Sequence, residues 1–195
     1  MPTTTSNLTT FSEPTRADPA FSTINTSSNA QTSNDVRAPW TVVNSESANL
    51  YSTYLQGVQL VTPPDAGVTV TEIRVILERR KSLAADTVKD SAVHLVKGGV
   101  IQTAVNTATA TAYTTTDVSE THTFTAANLA TLGITITDVR AADFGAALSF
   151  ENSAGGLGTS VAEVDQMFVE VDWIAGGGGA KGPFGSGLRQ IIAED

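Results

Sequence analysis

Apolar and polar positions alternate in short runs along most of the chain, and the period is two rather than three to four. The clearest run is Gln166–Trp173, where Met167, Val169, Val171 and Trp173 share one parity and Gln166, Glu170 and Asp172 the other. Phe144, Ala146, Leu148 and Phe150 form a second single-parity face that ends in the loop Asn152–Ser160. Tyr54–Val61 reads as a strand closed by Thr62-Pro63-Pro64-Asp65, a break that no central strand tolerates. Val68 and Val70 keep one parity while Ile73, Val75 and Leu77 keep the other, so a bulge or tight bend is predicted near Glu72. Ala92–Ile101 is a further strand region, interrupted by a hairpin turn at Lys97-Gly98-Gly99. Thr107–Thr116 and Thr121–Thr125 alternate threonine with Ala, His or Phe, as one-sided strands do, and Ala126–Leu132 fits a single helical turn. Strands spaced by about 10 to 15 residues, with no helix long enough for a crossover, predict an all-β fold: an antiparallel two-sheet sandwich, jelly-roll-like.

The two ends break this pattern. Residues 1–35 are dominated by Ser, Thr, Asn and Gln with Pro2, Pro14 and Pro19 among them, too little apolar surface to offset the entropy of ordering. Residues 1–38 are therefore expected to be a flexible or partner-bound N-terminal arm, 39–175 the β-sandwich domain, and 176–195 a tail hinged at Gly176–Gly179. The apolar anchors of the arm are Phe11, Phe21, Ile24 and Trp40; those of the tail are Leu188, Ile191 and Ile192, spaced for one helical turn against a partner.

Composition narrows the functional classes. The 195 residues carry 20 acidic against 11 basic side chains, and a net charge of -9 has the wrong sign for binding nucleic acid or an anionic membrane. The absence of cysteine removes disulfides, thiolate metal sites and thiol nucleophiles together. No run of about 18 apolar residues occurs, and Met1–Thr10 lacks the basic start and apolar middle of a secretory signal.

Candidate chemistry is sparse. Asp90 and His94 share a face in a strand or a helix and form a conceivable metal pair, but two ligands are too few, so His94 reads as a satisfied strand histidine. His122, in Glu120-Thr121-His122-Thr123, reads as solvent-facing. Ser160 with Gly155, Gly156 and Gly158 shows no nucleophile-elbow context, and the same glycines lack the lysine of a phosphate-binding loop. Glu78-Arg79-Arg80-Lys81, the one basic knot, reads as the solvated end of a strand, with a contact to a neighbour's carboxylates as the alternative. Asp138, Asp143, Glu163 and Asp165 match no calcium-loop spacing. The recurrent pairs Thr107-x-Thr109, Thr121-x-Thr123 and Thr135-x-Thr137 lack the regular coils of a solenoid. No catalytic residue, metal or cofactor is expected.

Three stretches taken together carry a resemblance: Val88–Gly99 (VKDSAVHLVKGG), Asp143–Leu148 (DFGAAL) and Val164–Val171 (VDQMFVEV). In this order they resemble a β-sandwich module of structural proteins of tailed bacteriophages, over about residues 50–174. The chain departs from that pattern in the middle, where Leu129–Gly133 keeps a glycine without the preceding tryptophan. The resemblance implies a virion component made in the host cytoplasm, associated as a homo-oligomer, a trimer first of all, and it transfers no catalytic residue. Within that class the first expectation is a capsid decoration or cement protein whose arm lies on neighbouring major capsid protein subunits. The second is a neck or tail adaptor or fibre. A carbohydrate-binding module is the competing class; most aromatics fall on core parity, leaving few for a sugar site, and a cluster of exposed Tyr51, Tyr54 and Tyr113 on one face would revive it.

Overall fold

The computed structural model describes residues 1–12, 22–24, 30, 37–43, 55–85, 87–152 and 159–175. Ten strands and two short helices occur among them: β1 (Thr3–Ser12), β2 (Ser22–Ile24), β3 (Ala38–Val43), β4 (Leu55–Leu60), β5 (Val68–Lys81), β6 (Val88–Lys97), β7 (Val100–Ile101), β8 (Val118–Phe124), α1 (Ala126–Leu132), α2 (Ile136–Val139), β9 (Gly145–Asn152) and β10 (Thr159–Ala175). All strand pairs are antiparallel, and the expected all-β class holds.

The strands make one curled sheet, a half-barrel. Its spine is β10, which pairs with β5 along one edge and with β3 and then β1 along the other. β5 carries β8 on its far side, while β4, β9, β6 and β7 follow β1. The join is made within β1: Thr3–Asn7 pair with β10, whereas Leu8–Ser12 pair with β4.

Residues 3–12 therefore differ from the expected arm, because they hold a central place in the sheet. Threonine suits a half-buried pleated strand, and one parity of β1 supplies Ser6 and Leu8, both buried, with Leu8 completely so. A composition that reads as unable to fold alone acquires its core from β4 and β10.

The core lies on the concave side, between the two halves of the curled sheet. Ile73, Val75 and Leu77 of β5, Phe124 of β8, and Met167, Val169 and Val171 of β10 meet Val93 and Leu95 of β6 and Leu148 and Phe150 of β9. The predicted irregularity near Glu72 is present: Glu72 faces Asp172 but Val70 faces Trp173, so Thr71 is the extra residue. Gly98 and Gly99, both at positive φ, form the predicted turn between β6 and β7. Gly145 lets β9 approach β4 closely, since a Cβ there would fall on the Gly57 carbonyl oxygen.

Two segments depart from the predicted elements. Residues 102–116, expected to include a strand from Thr107, form a strap with only an isolated bridge, Lys89 to Ala112. Its backbone bonds go to the free edge of β6, where Gln102 donates to Leu95, Thr107 to Val93 and Tyr113 to Val88, and to the end of β5, where Lys81 donates to the Thr114 carbonyl. The helical turn at Ala126–Leu132 is followed by a second, α2. Each is capped by a threonine, Thr125 bonding Asn128 and Thr135 bonding Asp138, and they bury Leu129, Leu132 and Val139 over the end of the sheet.

Candidate functional site

Strand parity assembles an interior polar cluster from residues far apart in sequence. β5 turns Ile73, Val75, Leu77 and Arg79 to the core, so Arg79 is the last inward residue of an otherwise apolar series. On β8, Glu120 and His122 share parity with the buried Phe124, and the register sets them opposite Leu77 and Val75. Asp90 enters from the start of β6, just before a bulge at Ser91 that separates its orientation from that of His94. Tyr113 descends from the strap.

Arg79 Nη2 donates to Asp90 Oδ2 at 3.0 Å and also to Glu120 Oε2. Its guanidinium carbon stands 3.8 Å above the Tyr113 ring, which meets Phe150 edge-on at 5.3 Å. The Tyr113 hydroxyl donates to Asp90 Oδ1, and the Thr109 hydroxyl donates to Glu120 Oε1. His122 Nδ1 bonds the Thr107 carbonyl at 2.9 Å, and its Nε2 lies 3.5 Å from Asp90 Oδ2. The Arg79, Asp90 and His122 side chains are at most 2% exposed, while Glu120, at 18%, gives the cluster its route to solvent.

Burial sets the electrostatics. It raises the Asp90 carboxyl above its ordinary value, against the opposing pull of the Arg79 charge, the Tyr113 hydroxyl and His122. Burial also pushes the Tyr113 phenol well above its ordinary value, and the Asp90 charge adds to the effect. Three of the cluster's contacts, those of Thr107, Thr109 and Tyr113, belong to the strap. The cluster thus ties residues 102–116 down between the β6 edge and β8, across the open side of the half-barrel.

The residues singled out in the sequence fall elsewhere or divide. Phe11 is half-buried against the core instead of projecting to a partner. Ile24 and Trp40 are register partners on β2 and β3. Phe21, Leu188, Ile191 and Ile192 lie outside the described residues, as do Tyr51 and Tyr54 and the glycines of the Asn152–Ser160 loop. Tyr113 is buried, so it cannot complete an exposed tyrosine face.

His94 is a satisfied strand histidine, its Nδ1 2.7 Å from the Val105 carbonyl. His122 is not solvent-facing but completely enclosed, and Asp90 meets it rather than His94. The basic knot is split by strand alternation: Arg79 points inward, while Arg80 pairs with Glu163 at 2.6 Å on the other face. Asp138 caps α2 and lies 3.4 Å from Lys97, Glu163 serves Arg80, and Asp165 is buried on β10, so these carboxylates do not gather. Asp138 and Asp143 line an open groove of about 540 Å³ with Lys97, Val100 and Leu132. The three Thr-x-Thr pairs lie on three different elements, the strap, β8 and the start of α2, instead of on successive turns of one coil.

Comparison with protein-family models, curated proteins and solved structures finds no match to this chain. Among the described residues no helix is long and apolar enough to cross a membrane.

Proposed function

We propose that the protein is a non-catalytic structural component of a tailed-phage particle, a capsid decoration protein that binds neighbouring major capsid protein subunits. The observation that carries this reading is where the three resembling stretches fall. They occupy β6 with its Gly98–Gly99 turn, the start of β9, and β10, which together frame the core. In this reading the two halves of the curled sheet correspond to the two layers of the phage sandwich module. The interior location of the polar cluster supports a structural role, since its charged groups are engaged with one another and with the strap.

With β1 inside the sheet, the gripping role passes to segments beyond it: Phe21, Ile24 and Trp40 on the N-terminal side, and Leu188, Ile191 and Ile192 on the C-terminal side. Several copies of these anchors on one oligomer, a trimer first of all, add avidity without any single tight contact.

The test is sedimentation of labelled full-length protein with purified phage heads and, separately, with detached tails. The expected result is saturable binding to heads at a fixed number per capsomer. Binding to tails alone would replace decoration by an adaptor or fibre role. Binding to neither, with retention on a glycan array, would overturn the virion reading.

A further inference from the structure

The neutral form of His122 has a defined tautomer. A carbonyl oxygen only accepts, so the bond to Thr107 places the proton on Nδ1 and leaves Nε2 as a lone pair. That Nε2 is completely buried, has no hydrogen-bond partner, and faces Asp90 Oδ2 at 3.5 Å. Two acceptors at that distance do not hydrogen-bond. The spacing does match two ligands of one tetrahedral ion, which at bond lengths of about 2.0–2.1 Å stand roughly 3.4 Å apart.

Glu120 supplies a third ligand: one donor atom each from Asp90, Glu120 and His122 lies within 4.8 Å of the other two. A backbone carbonyl on Nδ1–H is also the outer partner that metal-binding histidines commonly use. With neutral His122 the two carboxylates exceed the Arg79 charge by one, and two arrangements offset it: a proton on Nε2 facing Asp90 Oδ2, or a cation held between Asp90, Glu120 and His122.

We propose that Asp90, Glu120 and His122 bind one divalent transition-metal ion of the zinc class. A hydroxide in the fourth position brings the cluster to neutrality, and imidazole with carboxylates suits zinc or cobalt better than calcium. Arg79, Tyr113 and Thr109 hold the carboxylates' remaining lone pairs as outer donors. The ion enters past Glu120, the cluster's partly exposed member. The site is independent of the virion reading.

The test uses the full-length protein, stripped with a chelator and then given Zn(II) or Co(II). The expected result is one ion per chain by elemental analysis, visible absorption bands of tetrahedral Co(II), and a melting temperature raised by about 5 to 10 °C at a hundredfold excess over Kd. Glu120→Gln, a change at the partly exposed position, should weaken binding at least tenfold, and His122→Gln should abolish it. If His122→Gln does not fold, the Glu120→Gln comparison decides. No ion above background, with melting unmoved by Zn(II), would overturn the proposal. So would stoichiometric binding that Glu120→Gln leaves intact, because the ion would then sit elsewhere.

Discussion

Arg74 and Arg79 stand on the same strand, β5, with opposite parity, and each gathers carboxylates, Arg74 from β5 and β10 and Arg79 from β6 and β8. Arg74 faces outward, where Nε meets Glu170 at 2.9 Å and Nη1 meets Asp172 at 2.9 Å and Glu72 at 2.6 Å. Thr3 and Thr5 of β1 add hydroxyls to Asp172 and Glu170, so this network laces β5, β10 and β1 together on the surface. Arg79 faces inward, with Asp90, Glu120 and the Tyr113 ring.

The chemical inventory of the two networks is nearly the same, but burial gives them different consequences. Outside, water takes over when a partner is lost, and each exposed pair contributes little. Inside, an abandoned carboxylate has no water to turn to, so the network's integrity matters more than its net worth. The inner network also holds the strap, which no ladder of strand hydrogen bonds secures.

The sharpest way to break this contrast is to remove each arginine in turn. Arg79→Met leaves Asp90 and Glu120 without their cation and is predicted to cost about 3–5 kcal/mol in urea unfolding. A loss below about 1 kcal/mol would show that the interior charges are not enclosed. Next in size is Tyr113→Phe, which deletes the hydroxyl that Asp90 Oδ1 accepts and is predicted to cost about 1–3 kcal/mol by the same measurement.

A pH titration of stability distinguishes the networks by sign. The Asp90 carboxyl is raised above its ordinary 3.8, so the folded state holds its proton longer than the unfolded one. Its contribution is full below 3.8 and is lost as pH rises through the folded value; Asp90→Asn removes that downward slope. Asp172 is held below 3.8, first by the Arg74 hydrogen bond. Its contribution is full above 3.8 and is lost as pH falls through the folded value; Asp172→Asn removes that acid-side loss. The smallest effect belongs to Arg74→Met, predicted to cost at most about 1 kcal/mol and to fade in 1 M salt, where the Debye length is about 3 Å.

Much of the sheet was legible because period two is a local property. The parity shift before Ile73 gave the bulge at Thr71, the Gly98–Gly99 pair gave a turn, and the runs at Phe144–Phe150 and Met167–Val171 gave β9 and β10. The cluster was not legible, because it depends on which strands pair. One signal was available: Phe124 shares parity with His122, which argues for an inward histidine, but alternation with threonine leaves either face open to water. The Ser91 bulge, which sends Asp90 toward His122 and away from His94, has no local marker. β1 escaped for a different reason, since its threonines count as disorder in a composition and as strand formers beside β4 and β10.

The inner network clamps residues 102–116 to the half-barrel, while the outer one is dispensable for the strap. Native-state hydrogen exchange at the Thr107 and Tyr113 amides, which donate to Val93 and Val88, tests it most directly. Tyr113→Phe should lower protection at Thr107 by at least about tenfold while the β5–β10 amides change less, and Arg74→Met should leave the strap as in the unmodified protein. Equal loss in both variants, or no loss in Tyr113→Phe, would mean that the strap is held by its other bonds and not by the inner network.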